Sequence, residues 1–252
     1  MRALLLLTAI AMSALVHAQT SEGSEQVADD AILLTPTFTL QFPAADLSDR
    51  FGINYNFGFQ TAWKFGKNWH IGAEGNFLFG NTVRETDHFE NLLTTNGLVI
   101  NADGLLEEVT LSQRGWMARA VVGKTVPWNP RKPNNGVLFK LGAGIVEHRI
   151  LIDVNERLAR PLSPVYQTGY DRMSRGFVLS QFIGLLRLER DQFINLYGGI
   201  EIAQGFTRNR RPWDLGTNQP LDEARVDIFI GIKLGWIIPV FTTSTATNYY
   251  YY

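Results

Sequence analysis

The chain contains four histidines, and His17 lies in an apolar N-terminal stretch, which leaves His70, His88 and His148 for acid–base work. A neutral imidazole beside an acid and a hydroxyl can serve as a general base, because its pKa lies close to neutrality. His148 follows Glu147, and Ser163 lies in the next polar segment, so a lipid-modifying hydrolase is the enzymatic chemistry this chain could offer. Neither G-x-S-x-G nor H-E-x-x-H accompanies the pair, and no two histidines sit at metal-ligand spacing. A polar structural histidine is the simpler reading, and no catalytic residue, metal ligand or cofactor is assigned.

Seven charges form a second constellation: Lys64, Glu74, Arg119, Lys140, Glu201, Asp227 and Lys233. Each falls on the minority, polar face of an alternating segment. Buried together they would have to pair, since an unpaired buried ion costs several kcal/mol. Two readings follow, a structural ion-pair network or a narrow conduit lined by the same groups.

Arginines supply the third. Segments 153–175 and 207–224 hold Arg157, Arg160, Arg172, Arg175, Arg208, Arg210 and Arg211. Guanidinium forks suit phosphate, and lipopolysaccharide phosphates are the expected candidate ligand. Acids sit among them (Asp153, Glu156, Asp171, Asp214, Asp222 and Glu223), so a solvated mixed-charge loop is the competing reading. Tyr170 and Trp213 are the side chains suited to anchoring a protein partner. The acidic stretch 81–108 follows no calcium-ligand spacing and is read as solubilising.

These groups need a scaffold. Residues 53–65 read I-N-Y-N-F-G-F-Q-T-A-W-K-F, with Ile53, Tyr55, Phe57, Phe59, Trp63 and Phe65 on one face and Asn54, Asn56, Gln60 and Lys64 on the other. A period of two means a strand. Thirteen residues is long for an ordinary strand but suits a tilted membrane crossing. The same pattern predicts strands over 32–42, 69–80, 109–126, 137–152, 176–190, 193–206 and 225–240, with 176–190 the weakest alternator. Short connections (66–68, 127–135, 190–192) alternate with long ones (43–50, 81–108, 153–172, 207–224). The expected fold is all-β: one antiparallel up-and-down transmembrane β-barrel of eight strands, with short periplasmic turns and long outer loops. A hairpin over 91–100 would raise the count to ten. Trp63, Trp69, Trp116 and Trp236 near strand ends are expected to form an aromatic girdle.

The N-terminus carries Arg2, an apolar run over 4–15 and a small-residue ending at Ala18, which reads as a cleaved signal peptide over 1–18. A mobile leader (19–30), the barrel (31–241) and a tyrosine-rich tail (242–252, ending Tyr249–Tyr252) complete the expected organisation. Cleavage would move the net charge from −1 to −2, which gives no reason to expect nucleic acid. With no cysteine there is neither a disulfide framework nor a lipidated N-terminus.

The signal peptide, the eight alternating segments and the last strand, V-D-I-F-I-G-I-K-L-G-W, together resemble small Gram-negative outer-membrane barrels of the OmpA-transmembrane-domain or OmpW-like architecture. The resemblance implies an outer-membrane location and recognition of the last strand by the barrel-assembly machinery. It also implies contact with outer-membrane lipid, and either a structural or adhesive role or porin-like transport. The chain departs from the pattern in one respect, because the 242–252 tail follows the aromatic that usually ends such a strand.

Overall fold

A computed structural model describes residues 30–85, 94, 96, 98–100, 104–153, 169–189, 192–211, 213–215, 218–220 and 223–241. The signal peptide, nearly all of the leader, the tyrosine tail, His88, Arg157, Arg160 and Ser163 lie outside them. Eight long strands carry the fold: β1 (Ala31–Ala45), β2 (Asn54–Phe65), β3 (Trp69–Gly80), β4 (Thr110–Pro127), β5 (Gly136–Asp153), β6 (Ser174–Arg187), β7 (Asn195–Asn209) and β8 (Ala224–Phe241). Each pairs antiparallel with its sequence neighbours, and β1 pairs with β8, so the sheet closes into an up-and-down barrel with no free edge. Val99–Ile100 pairs with Leu106–Glu107 as a separate two-residue ladder outside the wall, which settles the count at eight rather than ten.

The alternation read from sequence is the alternation of the walls. On β2, Tyr55, Phe57, Phe59 and Trp63 are exposed while Asn54, Asn56, Gln60 and Lys64 are buried. The same inversion runs round the ring, with Phe38, Ile71, Phe77, Val122, Ile145, Phe177, Ile200 and Ile232 outside and Thr37, His70, Glu74, Arg119, Lys140 and Lys233 inside. An apolar belt around a polar interior is the arrangement of a barrel with lipid as its outer solvent. Among the described residues no helix is long and apolar enough to cross a membrane. β6 alternates weakly for a local reason: its inner face carries Val178, Phe182 and Leu186, so both of its faces are apolar.

The two rims differ. At the short-turn rim, Gly66 (φ 53°) and Asn68 (φ 62°) take the left-handed conformations that a three-residue reversal requires. At the long-loop rim, the segment 43–50 is not a plain loop. Residues 43–45 continue β1, and a short helix α1 (Asp46–Arg50) then turns in over the lumen. Ala45, a non-glycine at φ 54°, makes the sharp entry. Leu47 and Phe51 are thereby fully buried against Leu78, Met117, Val146, Ile150, Val178, Ala203 and Phe229. A second apolar layer of Leu33, Leu138, Phe182, Leu186, Tyr197 and Ile237 fills the short-turn end.

Candidate functional site

Between these two layers lies the charged heart of the lumen. Glu74 on β3 is the direct cross-strand neighbour of Arg119 on β4, and Arg119 Nη2 donates to Glu74 Oε1 at 2.7 Å. Arg119 Nη1 lies 3.2 Å from Glu201 Oε1 on β7, across the barrel. Lys233 Nζ on β8 donates to Glu74 Oε1 at 2.5 Å and to Glu201 Oε1 at 2.8 Å. Two carboxylates and two cations alternate in one closed, charge-neutral ring, all of it buried. An eight-stranded barrel is just wide enough for inward side chains to meet across it. Gly231 leaves the space that such filling needs, since a Cβ there would come within 2.6 Å of Thr39 Cγ2.

The sequence expectation of a single seven-membered network is corrected by this geometry. Lys140 stands apart from the ring: its ammonium donates to Gln60 Oε1 at 2.9 Å and lies over the rings of Tyr197 (4.0 Å) and Phe182 (4.8 Å). Lys64, nearer the short turns, donates to Asn134 Oδ1 at 2.9 Å. Asp227 belongs to a further group toward the loops, where Thr207 Oγ1 donates to it at 2.5 Å and His148 Nε2 lies at 2.9 Å. Alternation places all seven side chains indoors but carries no information about height along the axis, and height decides who pairs.

His148 is fully buried under Phe51 and against Phe229, with ring centroids 5.6 and 6.4 Å away. Its Nε2 is engaged by Asp227, so it faces neither lipid nor water. His70 is likewise inward, with Nε2 2.8 Å from Thr125 Oγ1. Among the described residues no three histidine, aspartate or glutamate side chains are grouped to hold a metal ion.

Above this, a lid that strand periodicity does not reveal closes the long-loop end. Arg50, at the end of α1, donates from Nε to Glu85 at 2.7 Å, from Nη1 to Ser174 Oγ at 2.9 Å and from Nη2 to the Arg172 carbonyl at 2.9 Å. Arg172 also pairs with Glu85, and its Nε donates to Asp214 Oδ2 at 2.7 Å. Arg225 lies 3.9 Å from Glu85. Burial opposes the charge on Glu85, but the guanidinium groups of Arg50 and Arg172 outweigh it and hold the carboxyl below its usual range. Glu85 is thus a structural anchor, not the solubilising acid its neighbourhood suggests. No local signal marks it, because its partners lie 35 and 87 residues away.

The candidate loop ligands divide accordingly. Arg172 is buried in the lid, a correction to its reading as an outer phosphate contact, and the left-handed backbone at this residue (φ 41°) accompanies the inward turn. Tyr170 is also buried, which removes it as a partner anchor. Arg211 is held by both oxygens of Asp171, at 2.8 and 2.6 Å. Arg175, Arg208 and Arg210 are exposed at the rim, as is Trp213, whose indole donates to Asn218. Of the expected girdle, Trp63, Trp69 and Trp236 are outward and exposed at the short-turn rim, where exposed Trp128 joins them. Trp116 lies in the loop-side half and donates from Nε1 to Glu147 at 3.2 Å.

No family model and no curated protein sequence matches the chain. Solved structures give distant likenesses. Ail, the attachment invasion locus protein of Yersinia pestis, has a TM-score of 0.42 at 6% identity, covering 83% of this chain and 99% of that one. The same protein in complex with the heparin analogue sucrose octasulfate gives 0.40 at 7%, with the same coverage. The outer membrane protein OprG from Pseudomonas aeruginosa gives 0.34 at 9%, covering 85% and 98%. At such distances nothing about activity passes between the chains, and the functional argument rests on this chain's own residues.

Proposed function

We propose that this chain is an exported outer-membrane barrel that neither conducts nor catalyses and that acts through its long-loop rim, as a structural element, an adhesive surface or an accessory subunit of an envelope complex. The observation that carries the reading is the filled lumen. An apolar layer, a neutral ring of Glu74, Arg119, Glu201 and Lys233, a second apolar layer and the Arg50–Glu85–Arg172 lid succeed one another along the axis. Moving an ion along that path would require stripping its water and breaking buried pairs, which speaks against the channel alternative. The rim-hydrolase alternative loses its base, since His148 is sealed under Phe51.

The outer-membrane location, the cleaved signal peptide and recognition of β8 by the assembly machinery are parts of the same proposal. They are supported by the apolar belt and the N-terminal pattern. Density-gradient fractionation of cells expressing the full chain tests them, with gels of boiled and unboiled samples run in parallel. The barrel is expected in the outer-membrane fraction with a heat-dependent shift in mobility. Recovery as a soluble periplasmic protein would overturn the proposal.

A further inference from the structure

One line of cross-strand neighbours climbs the outer wall. It begins in the apolar belt as Phe38, Phe57 and Phe77, each directly opposite the next, and continues to Trp116 on β4. Because the strands tilt, the same line then rises toward the long-loop rim through Glu147, Arg175 and Arg208. Two residues nearer the rim on β4 and β5, and on the same outward face, Arg114 stands directly opposite Arg149. Four arginines on four adjacent strands thus surround one acid at the upper edge of the apolar belt.

The centre of the patch is built. Trp116 Nε1 donates to Glu147 Oε1 at 3.2 Å, Arg175 Nε lies 3.0 Å from Glu147 Oε2, and the Arg175 guanidinium sits 5.5 Å from the Trp116 ring centroid. Acid and indole together fix the orientation of that fork, as second groups fix ligands elsewhere. Arg149 is exposed and makes no ion pair among the described residues. Like charges directly opposite one another across a sheet are destabilising. Here Arg114 faces Arg149 at the height where an apolar belt gives way to water, and beside them Arg175, which faces Arg208, is already held by Glu147. An anion at that height relieves the repulsion, and guanidinium forks favour phosphate oxygens.

We infer that Arg114, Arg149, Arg175 and Arg208 form an outward-facing site for the phosphorylated headgroup of a membrane lipid, whose acyl chains lie against Phe177, Phe206 and Ile145 below. The inference rests on the outer-membrane reading and names the lipid partner within it. It also moves the anion site from the loop arginines to the strands: Arg172 and Arg211 are committed to acids, and Arg114 and Arg149 take their place.

The test uses the full mature chain refolded in a neutral detergent, with retained lipid read by native mass spectrometry after titration with bisphosphorylated lipid A. Wild type is expected to retain the lipid. The Arg149→Gln/Arg175→Gln double variant is expected to need on the order of tenfold more lipid for the same occupancy. Arg187→Gln, at the opposite rim, is expected to match wild type. Dephosphorylated lipid A should bind wild type no better than it binds the double variant. Equal retention by wild type and double variant, or equal retention of the dephosphorylated lipid, would overturn the inference. Inorganic pyrophosphate competing as well as the whole lipid would show a free-phosphate site and overturn the lipid assignment. Should the double variant lose its heat-dependent gel shift, the single Arg149→Gln, which disturbs no ion pair among the described residues, carries the comparison. Failure of the outer-membrane reading would appear instead in cell fractionation, whatever the purified barrel binds.

Discussion

Arg119 Nη2 lies 2.7 Å from Glu74 Oε1, and the two residues, 45 positions apart in sequence, stand directly opposite each other across β3 and β4. That contact is one side of a ring that Glu201 and Lys233 complete. Losing any single member leaves the ring charged. Arg119→Met would leave two buried carboxylates to share Lys233, at a cost of about 3–5 kcal/mol. The expected readout is a lower midpoint of urea unfolding from a lipid-bound state. Adding Glu201→Gln to Arg119→Met restores neutrality and should recover part of the loss; a double variant less stable than the single would contradict the ring.

The lid is expected to respond to pH through Glu85. Its carboxyl is held below the usual value of 4.5 by Arg50 and Arg172, against the opposing effect of burial. A group whose pKa is depressed by folding contributes stability that is fully present above its unfolded pKa and is lost as pH falls through the folded value. Protection of the 46–52 segment from proteolysis should therefore be constant above about pH 5 and decline below about pH 4.5. Glu85→Gln should show weakened protection at neutral pH and little further change on acidification. A variant with an acid-dependent loss as large as wild type's would remove Glu85 from this role.

Phe51 is the plug of the same lid, fully buried with its ring edge-on to His148 and the Arg50 guanidinium 5.1 Å from its centroid. Phe51→Ala leaves a cavity in the upper apolar layer and should cost about 3–5 kcal/mol in unfolding free energy. Phe77→Ala offers the contrast. Phe77 is 73% exposed on the belt, so its loss opens no internal cavity and should cost clearly less. Comparable losses at the two positions would mean that the inner and outer faces are wrongly distinguished.

The environment of the outer face has its own test. Ile232 sits on the belt between Leu40 and Ile200. Ile232→Lys should cost about 2–4 kcal/mol in a bilayer, because the ammonium must sit in hydrocarbon. If water were the outer solvent, the same exposed substitution would change stability by no more than about 0.5 kcal/mol. Unfolding from phospholipid vesicles distinguishes the two outcomes.

Sequence made the wall legible and left the closures obscure. Ile53, Tyr55, Phe57, Phe59 and Trp63 announce their face because a strand has a strict period of two, and Lys64 and Glu74 announce the interior by the same rule. Pairing inside the barrel was not legible: that Glu74 meets Lys233 rather than Lys64 depends on stagger between strands 159 residues apart. Nor was α1, five residues long and tucked inward by the backbone of Ala45. Arg114 and Arg149 escaped notice because each is unremarkable in its own strand, and only the β4–β5 register sets them face to face.

The filled lumen is the central claim, and planar-bilayer conductance of the purified, heat-modifiable barrel tests it most directly. Wild type is expected to give no steps above background at neutral pH in molar salt. Discrete, reproducible openings from correctly folded protein would contradict the plugged barrel and return the Glu74–Arg119–Glu201–Lys233 ring to the lining of a pore.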